Sequence, residues 1–195
     1  LSLILSSIVE IQVSRVLGKS DIKQKISDLK NHIIVCGAGR VGTNVVDVLL
    51  KENVPFCLIE ENEEIVNSLL SQGLLALQGD ATKDEVLIHA GIHHARGVIS
   101  ALSEDAYNVY VTLTAKAINP GLTVVARAER PESMEKLKRA GADKVIAPAQ
   151  IGGQRMAAAI LKPVSVDLVD TLFTSRSIQV QIEELIVKRD SPICG

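Results

Sequence analysis

A glycine-rich string near the start of the chain has the residue types and spacing of a phosphate-binding loop. The string is Gly37-Ala38-Gly39-Arg40-Val41-Gly42, and it lies between a short apolar run and a segment with helical periodicity. The first glycine permits a tight turn, the second lets the backbone approach a pyrophosphate, and the third lets the helix pack closely on the sheet. Free amides at the start of that helix favour an anion. The string therefore predicts nucleotide binding, with an empty, vestigial loop as the alternative.

Two charged residues extend this predicted site. Glu60 ends the second apolar run, where a carboxylate can hydrogen-bond ribose hydroxyls and disfavours the 2′-phosphate of NADP. Arg40 lies inside the loop, where its guanidinium can bridge the phosphate oxygens of ADP, ATP or NAD. The alternative for Arg40 is a side chain that points into water.

A second short motif follows the third apolar run, where the adenine edge of a nucleotide would lie. The motif is Gly79-Asp80-Ala81-Thr82, and we include Asp80 and Ala81 in the predicted site. Asp80 can accept a hydrogen bond from the adenine amine. It can also cap the next helix, because Asp is a favourable N-cap residue.

The chain lacks a recognisable set of catalytic residues. A dehydrogenase needs a substrate domain and a proton donor beside the nicotinamide, and too little sequence follows Ala147 to supply that domain. We expect the histidines at 89, 93 and 94 to lie on the surface rather than bind a metal, because Gly91 interrupts the helix that would align them. No Walker loop or nucleophile elbow is present. The sequence predicts a binding protein that is not an enzyme and holds no metal.

Six short apolar runs alternate with helical patterns from His32 onward. Each run is rich in Val, Ile or Leu and is bounded by Gly, Pro, Asp or Asn, which is typical of strands buried on both faces. Strands that alternate with helices form a parallel sheet with right-handed crossovers. The pattern predicts an α/β, Rossmann-like, doubly wound parallel sheet. Its six predicted strands span residues 33–36, 56–59, 74–77, 97–101, 122–126 and 144–147.

The regions on either side of this pattern differ from it. Residues 1–9 are apolar and residues 15–30 mostly basic, which suits either an amphipathic capping helix or the cytosolic end of a membrane helix. The chain begins at Leu1 rather than Met, and we expect both ends to belong to a longer protein. After Pro148 a helix over 150–161, a second helical stretch and a strand-like segment at 178–182 follow, which can link or dimerise.

Composition narrows the possible partners. The chain has 195 residues, of which 47% are hydrophobic and 23% charged, and its net charge is −2. Nucleic-acid binders usually carry a basic surplus, and with two Tyr, two Phe and no Trp base stacking is disfavoured, so no nucleic-acid partner is expected. Cys36 and Cys57 lie within apolar runs, which indicates buried thiols in a reducing compartment.

Four motifs in order resemble the RCK domains, also called KTN or Trk-N domains, which regulate potassium conductance. The resemblance covers about residues 30–170, and its motifs span residues 32–42, 79–82, 125–129 and 137–148. It implies a Rossmann-type regulatory domain that forms a homodimer and assembles into an octameric ring. Ligand binding in that family changes the angle between lobes and so pulls on a potassium-channel pore.

The residues before His32 resemble the channel-fused form of the family rather than the free-standing transporter subunits. The resemblance divides the chain into the end of a pore helix and linker (1–30), a Rossmann nucleotide-binding subdomain (31–148), crossover helices for dimerisation (149–175) and the start of a truncated C-terminal subdomain (176–195). It places the domain at the cytoplasmic face of the cell membrane. A helix over 106–118, apolar on more than one face, is expected either to pack against another subunit or to be a fully buried core helix.

The resemblance also bears on the ligand. Family members with intact glycines and an acid ending the second strand bind NAD(H), ATP, ADP or AMP, and this chain matches them without indicating which one. Arg127 matches the family's arginine near the nucleotide phosphates, either of the same subunit or of its partner. Calcium-gated members carry acids where Ala101 and Arg127 stand here. Only Glu129 remains, and a single carboxylate does not make a calcium site.

The sequence thus predicts the cytosolic gating domain of a potassium channel, in which nucleotide binding is coupled to pore opening. The first alternative is a nucleotide-binding subunit of a Trk/Ktr-type potassium uptake transporter. The second, from another class, is an NAD-dependent oxidoreductase or redox sensor, which requires hydride turnover or a functional Cys36.

Overall fold

The computed structural model describes residues 21–161. The predictions that fall on residues 1–20 and 162–195 lie outside the described residues; they concern the pore-helix end, the helical stretch after Pro163, the strand-like segment and the C-terminal subdomain. The chain divides into two compact units after Gln150. No helix within 21–161 is long and apolar enough to cross a membrane.

Six strands alternate with helices along the described chain. The strands are β1 (Ile33–Cys36), β2 (Phe56–Glu60), β3 (Ala76–Gln78), β4 (Gly97–Ser100), β5 (Thr123–Arg127) and β6 (Lys144–Ile146). Residues 21–27 form the helical segment α1. The other helices are α2 (Arg40–Lys51), α3 (Glu63–Ser71), α4 (Asp84–His89), α5 (Asp105–Ile118), α6 (Met134–Arg139, preceded by a 3₁₀ turn at Pro131–Ser133) and α7 (Pro148–Leu161).

The six strands form one parallel sheet in the order β3-β2-β1-β4-β5-β6. This topology confirms the predicted doubly wound, Rossmann-like α/β fold. Residues on opposite sides of β1 join different cores: Ile34 packs with α4 and α5, and Val35 packs with α2 and α3. Burial on both faces explains why the strands appear in the sequence as continuous apolar runs.

Several element boundaries differ from those predicted. β3 begins at Ala76 rather than residue 74, because the amide of Leu74 donates to the carbonyl of Leu69 and closes the end of α3. α7 begins at Pro148 rather than residue 150, a position proline favours at a helix start because its missing N–H would have no helical partner. The remaining strand boundaries move by one residue or not at all.

Helix α5 is buried along one side only. Val111 is fully buried, whereas Tyr107, Tyr110 and Leu113 are exposed by 47%, 59% and 48%. The prediction of a fully buried core helix is therefore wrong. The prediction that this helix packs against another subunit stays a prediction.

The start of β1 is anchored by a buried histidine and by α1. Ile26 of α1 is fully buried in the core that contains Ile34. His32 is also fully buried; its Nε2 lies 2.8 Å from the carbonyl oxygen of Ala90, and its Nδ1 has no hydrogen-bond partner in the part of the chain that the structure describes. The ring is therefore neutral with the proton on Nε2, because a second proton on Nδ1 would be buried without an acceptor.

We expect this histidine to make the domain less stable in mild acid. Burial lowers the pKa of His32 below its ordinary value of about 6.5. Below pH 6.5 the folded state then binds fewer protons at His32 than the unfolded chain does. The free energy of unfolding is therefore highest above pH 6.5 and decreases as the pH falls below it. Chemical unfolding between pH 7 and pH 5 measures the effect, while carboxylates of lowered pKa such as Asp105 act only in stronger acid.

Two variants control this measurement. His32→Gln should flatten the dependence of stability on pH, whereas His89→Gln, at an exposed position, should leave it unchanged. An equal slope in the wild type and in His32→Gln would contradict the prediction.

Candidate functional site

A cleft of about 820 Å³ opens at the carboxyl ends of the strands. It lies where β1 and β4 are neighbours and the strand order reverses, which is the position where open α/β sheets bind ligands. The loops that follow β1 to β5 all contribute to its lining. These loops bring together side chains that are far apart in the sequence.

The three glycines of the loop differ in what surrounds them. Gly37 has φ +95°, a conformation that favours glycine. A Cβ at Gly42 would lie 1.9 Å from the carbonyl oxygen of Gly37, so no side chain fits between the start of α2 and the turn. A Cβ at Gly39 would meet nothing within 4 Å. Gly39 therefore leaves open space at the cleft, as a close approach of a ligand requires.

The first turn of α2 has no built-in anion. Its N-cap is Gly39, which makes no side-chain capping hydrogen bond, and the first turn contains no acidic residue. By contrast, α3 is capped by the Asn62 side chain and has Glu63 and Glu64 in its first turn. The unpaired amides and the partial positive charge at the start of α2 therefore favour an anion from outside. Arg40 is exposed and lines the cleft, which is compatible with both of its predicted roles.

Glu60, at the end of β2, is hydrogen-bonded to the Gly37–Gly42 loop. Its Oε2 accepts a hydrogen bond from the amide of Ala38 at 2.8 Å, and its Oε1 accepts one from the amide of Asn62 at 3.0 Å. The carboxylate also lines the cleft and has further lone pairs for hydroxyl groups. Sequence reasoning predicted the ligand contact of this residue and missed its contact with the loop.

Asp80 is ordered by its neighbours in the chain. Its Oδ1 accepts from the hydroxyl of Thr82 at 2.7 Å and from the amide of Thr82 at 2.9 Å. These hydrogen bonds hold the pKa of Asp80 below its ordinary value, and the bond from the Thr82 hydroxyl has the largest effect. The N-cap of α4 is Lys83, so the prediction that Asp80 caps that helix is wrong. Asp80 and Ala81 both line the cleft.

Arg127 ends β5 and lines the cleft. The side chain is 17% exposed and its guanidinium pairs with the carboxylate of Glu129. Its Nε is buried and has no hydrogen-bond partner among residues 21–161. An unpaired donor of a charged group is costly to bury. A ligand oxygen would accept this hydrogen bond, which residues 21–161 leave unmade, only if the side chain turned toward the cleft.

The structure brings most of the predicted site residues to one cleft. Those that line it are Gly37, Gly39, Arg40, Val41, Glu60, Asp80, Ala81 and Arg127. Ala38 and Gly42 are buried within the loop and do not line the cleft. Sequence reasoning missed the lining residues Leu102 and Ser103, which follow β4. The position of β4 at the reversal of strand order is the signal that could have found them.

Other candidate sites in the sequence are not supported by their surroundings. Cys36 and Cys57 are completely buried; burial raises the pKa of the Cys57 thiol to about 12 and raises the pKa of Cys36 as well. A reactive thiolate requires the opposite shift, so a functional Cys36 is disfavoured. The histidines at 89, 93 and 94 are exposed, as predicted. Among residues 21–161, no three His, Cys, Asp or Glu side chains form a group that could hold a metal ion.

Comparisons with known proteins agree with this architecture. A family model described as the TrkA-N domain matches residues 33–148. "Probable potassium channel protein 2" of Methanocaldococcus jannaschii is 36% identical over 98% of this chain, which spans 58% of that protein. "Potassium channel protein 1" of the same organism is 37% identical over 84% of this chain, which spans 50% of that protein.

Two solved structures of a protein named GsuK have the same fold. The structure described as "GsuK channel bound to NAD" is 26% identical to this chain, with a TM-score of 0.59; the match covers 64% of this chain and 22% of the GsuK chain. The structure described as "GsuK bound to ADP" is 30% identical to this chain, with a TM-score of 0.60; the match covers 75% of this chain and 38% of the GsuK chain.

Proposed function

The chain belongs to the TrkA-N family, as an RCK domain, and we propose that it is the nucleotide-binding regulatory domain of a potassium channel. The observation that carries the proposal is that one cleft brings together the start of α2, which has no side-chain cap, the carboxylate of Glu60 and the guanidinium of Arg127. Together these groups complement an anion joined to a sugar.

The proposed ligand is an adenine nucleotide (ATP, ADP or AMP) or NAD(H). Its phosphates would lie on the first turn of α2, between Arg40 and Arg127. Its ribose hydroxyls would donate to Glu60, and its adenine would lie near Asp80 and Ala81. The presence of NAD and ADP in the two GsuK structures supports this choice of ligand class.

The proposed partner is a potassium-channel pore at the cytoplasmic face of the membrane. The match to potassium channel protein 2 covers 98% of the chain and so extends beyond the TrkA-N domain. This supports the division into a pore linker (1–30), a Rossmann subdomain (31–148), dimerising crossover helices (149–175) and a C-terminal subdomain (176–195). In the proposed homodimer and octameric ring, a ligand shifts the pore only if it binds one ring conformation more tightly than the other.

Calorimetric titration with NAD⁺, NADH, ATP, ADP and AMP, and then with calcium, tests the nucleotide proposal. We expect one nucleotide to bind tightly. Arg127→Ala should weaken its affinity by about tenfold or more, because it removes a charge-assisted hydrogen bond worth about 1.5–3 kcal/mol. Arg40→Ala should weaken it less, because that side chain is exposed. Lys51→Ala, which changes an exposed cation at the other end of α2, serves as the control. Absence of binding by every nucleotide would contradict the proposal.

Potassium flux into liposomes that contain the full-length protein tests the regulatory part. We expect the nucleotide identified by calorimetry to change the flux. A flux that appears only when a separate membrane subunit is added would instead support the transporter subunit. Steady oxidation of NADH by the purified protein would support the oxidoreductase.

A further inference from the structure

A buried amide on α5 connects two of the loops that line the cleft. Asn108 is completely buried and uses its full hydrogen-bonding capacity. Its Oδ1 accepts from the hydroxyl of Ser100 at 2.6 Å and from the amide of Leu102 at 3.0 Å. Its Nδ2 donates to the carbonyl oxygens of Leu102 and Arg127, each at 3.0 Å.

These four bonds join the carboxyl ends of β4 and β5. Leu102 follows β4 and is held through both its amide and its carbonyl, as a neighbouring strand would hold it. Arg127 is the last residue of β5 and is held through its carbonyl. Both residues line the cleft, whereas Asn108 does not.

Leu102, which Asn108 holds in place, also packs against the Gly37–Gly42 loop. A Cβ at Gly37 would lie 3.0 Å from Cδ2 of Leu102 and 3.3 Å from the carbonyl oxygen of Ala101. The loop after β4 therefore lies directly against the Gly37 turn. If Leu102 moved, the Gly37 turn would lose the side chain that packs against it. If the Arg127 backbone moved, the guanidinium at the opposite side of the cleft would move with it.

We infer that Asn108 is a positioning residue for the phosphate end of the ligand. It acts through Leu102 and Arg127 and does not touch the ligand itself. The inference rests on the proposed function and adds a residue that the cleft lining does not reveal. The sugar and base end of the site, at Glu60 and Asp80 on the β2–β3 side, makes no described contact with the Asn108 side chain and should be independent of it.

The test compares the affinities of ADP and adenosine, measured separately by calorimetry. Asn108→Leu has nearly the same side-chain shape and removes all four hydrogen bonds. We expect the affinity for ADP to fall by about tenfold or more, and the affinity for adenosine to change by less than about twofold. Asn108→Ala, which leaves room for water in place of the amide, should show the same selective loss and keeps the test available if the leucine variant does not fold.

A destabilised core variant separates positioning from a general loss of stability. Ile92 is completely buried and precedes β4 at the end of the sheet away from the cleft, so Ile92→Ala should lower the melting temperature and leave the ratio of ADP to adenosine affinity unchanged. A ratio in the Asn108 variants equal to that of the wild type would overturn the inference. Where the calorimetric titrations show that another nucleotide binds more tightly than ADP, that nucleotide replaces ADP in the comparison. Failure of the wild-type protein to bind any of the nucleotides would instead overturn the proposed function.

Discussion

Gly42→Ala is expected to destabilise the domain strongly and to abolish nucleotide binding. A Cβ at this position would lie 1.9 Å from the carbonyl oxygen of Gly37 and 3.0 Å from its carbonyl carbon. Both atoms are backbone and cannot rotate away, so α2 or the turn must move. In an ordinary helix interior the same change stabilises by about 1 kcal/mol. Here we expect a loss of roughly 3 kcal/mol or more, measured by denaturant unfolding.

Gly39→Ala is the matched control within the same loop. Its φ of −73° and ψ of −172° suit alanine, and a Cβ there would meet no atom within 4 Å. We expect its free energy of unfolding to stay within about 1 kcal/mol of the wild type. Its nucleotide affinity should nevertheless fall by about tenfold or more, because the methyl group occupies the space that the pyrophosphate needs. Unchanged affinity in Gly39→Ala would show that no ligand approaches this loop.

Glu60→Ala is expected to lower both the stability of the domain and its affinity for the nucleotide. The substitution leaves the amides of Ala38 and Asn62 without their acceptor. Loss of a buried donor's partner costs about 1–3 kcal/mol, and Ala38 is buried. Removal of the ribose acceptor should lower nucleotide affinity by about tenfold or more at the same time. Calorimetry with the preferred nucleotide and denaturant unfolding measure the two effects.

Two further variants separate the roles of this carboxylate. Glu60→Gln keeps one acceptor oxygen and removes the charge, so it should relax discrimination against the 2′-phosphate of NADP. Glu61→Ala removes an exposed carboxylate that lines the same cleft, and it should change affinity by less than about twofold. Unchanged affinity in Glu60→Ala would contradict the ribose assignment. An equal loss in Glu60→Ala and Glu61→Ala would indicate a general effect of charge.

The fold was predictable because its signals are local. Each central strand is buried on both faces, so a run such as Ile33–Cys36 is apolar throughout. The glycines of the Gly37–Gly42 loop are required by the strand, turn and helix that directly surround them. The order of these segments along the chain then implies a parallel sheet, since parallel strands need a crossover between them. Element ends were less predictable, because hydrogen bonds such as that from Leu74 to Leu69 determine them.

The connections within the site could not be inferred from the chain. Glu60 was recognised as the acid that ends a strand, yet its bond to Ala38 depends on the pairing of β1 with β2. Asn108 resembles any polar residue of a helix in the sequence, and it joins Ser100, Leu102 and Arg127 only because α5 packs where β4 and β5 end. The local sequence pattern thus determined the elements and the glycine-rich turn at Gly37–Gly42. The partners of the buried polar groups were decided by tertiary packing, because a hydrogen bond between distant residues requires the relative positions of two elements to within a fraction of an ångström.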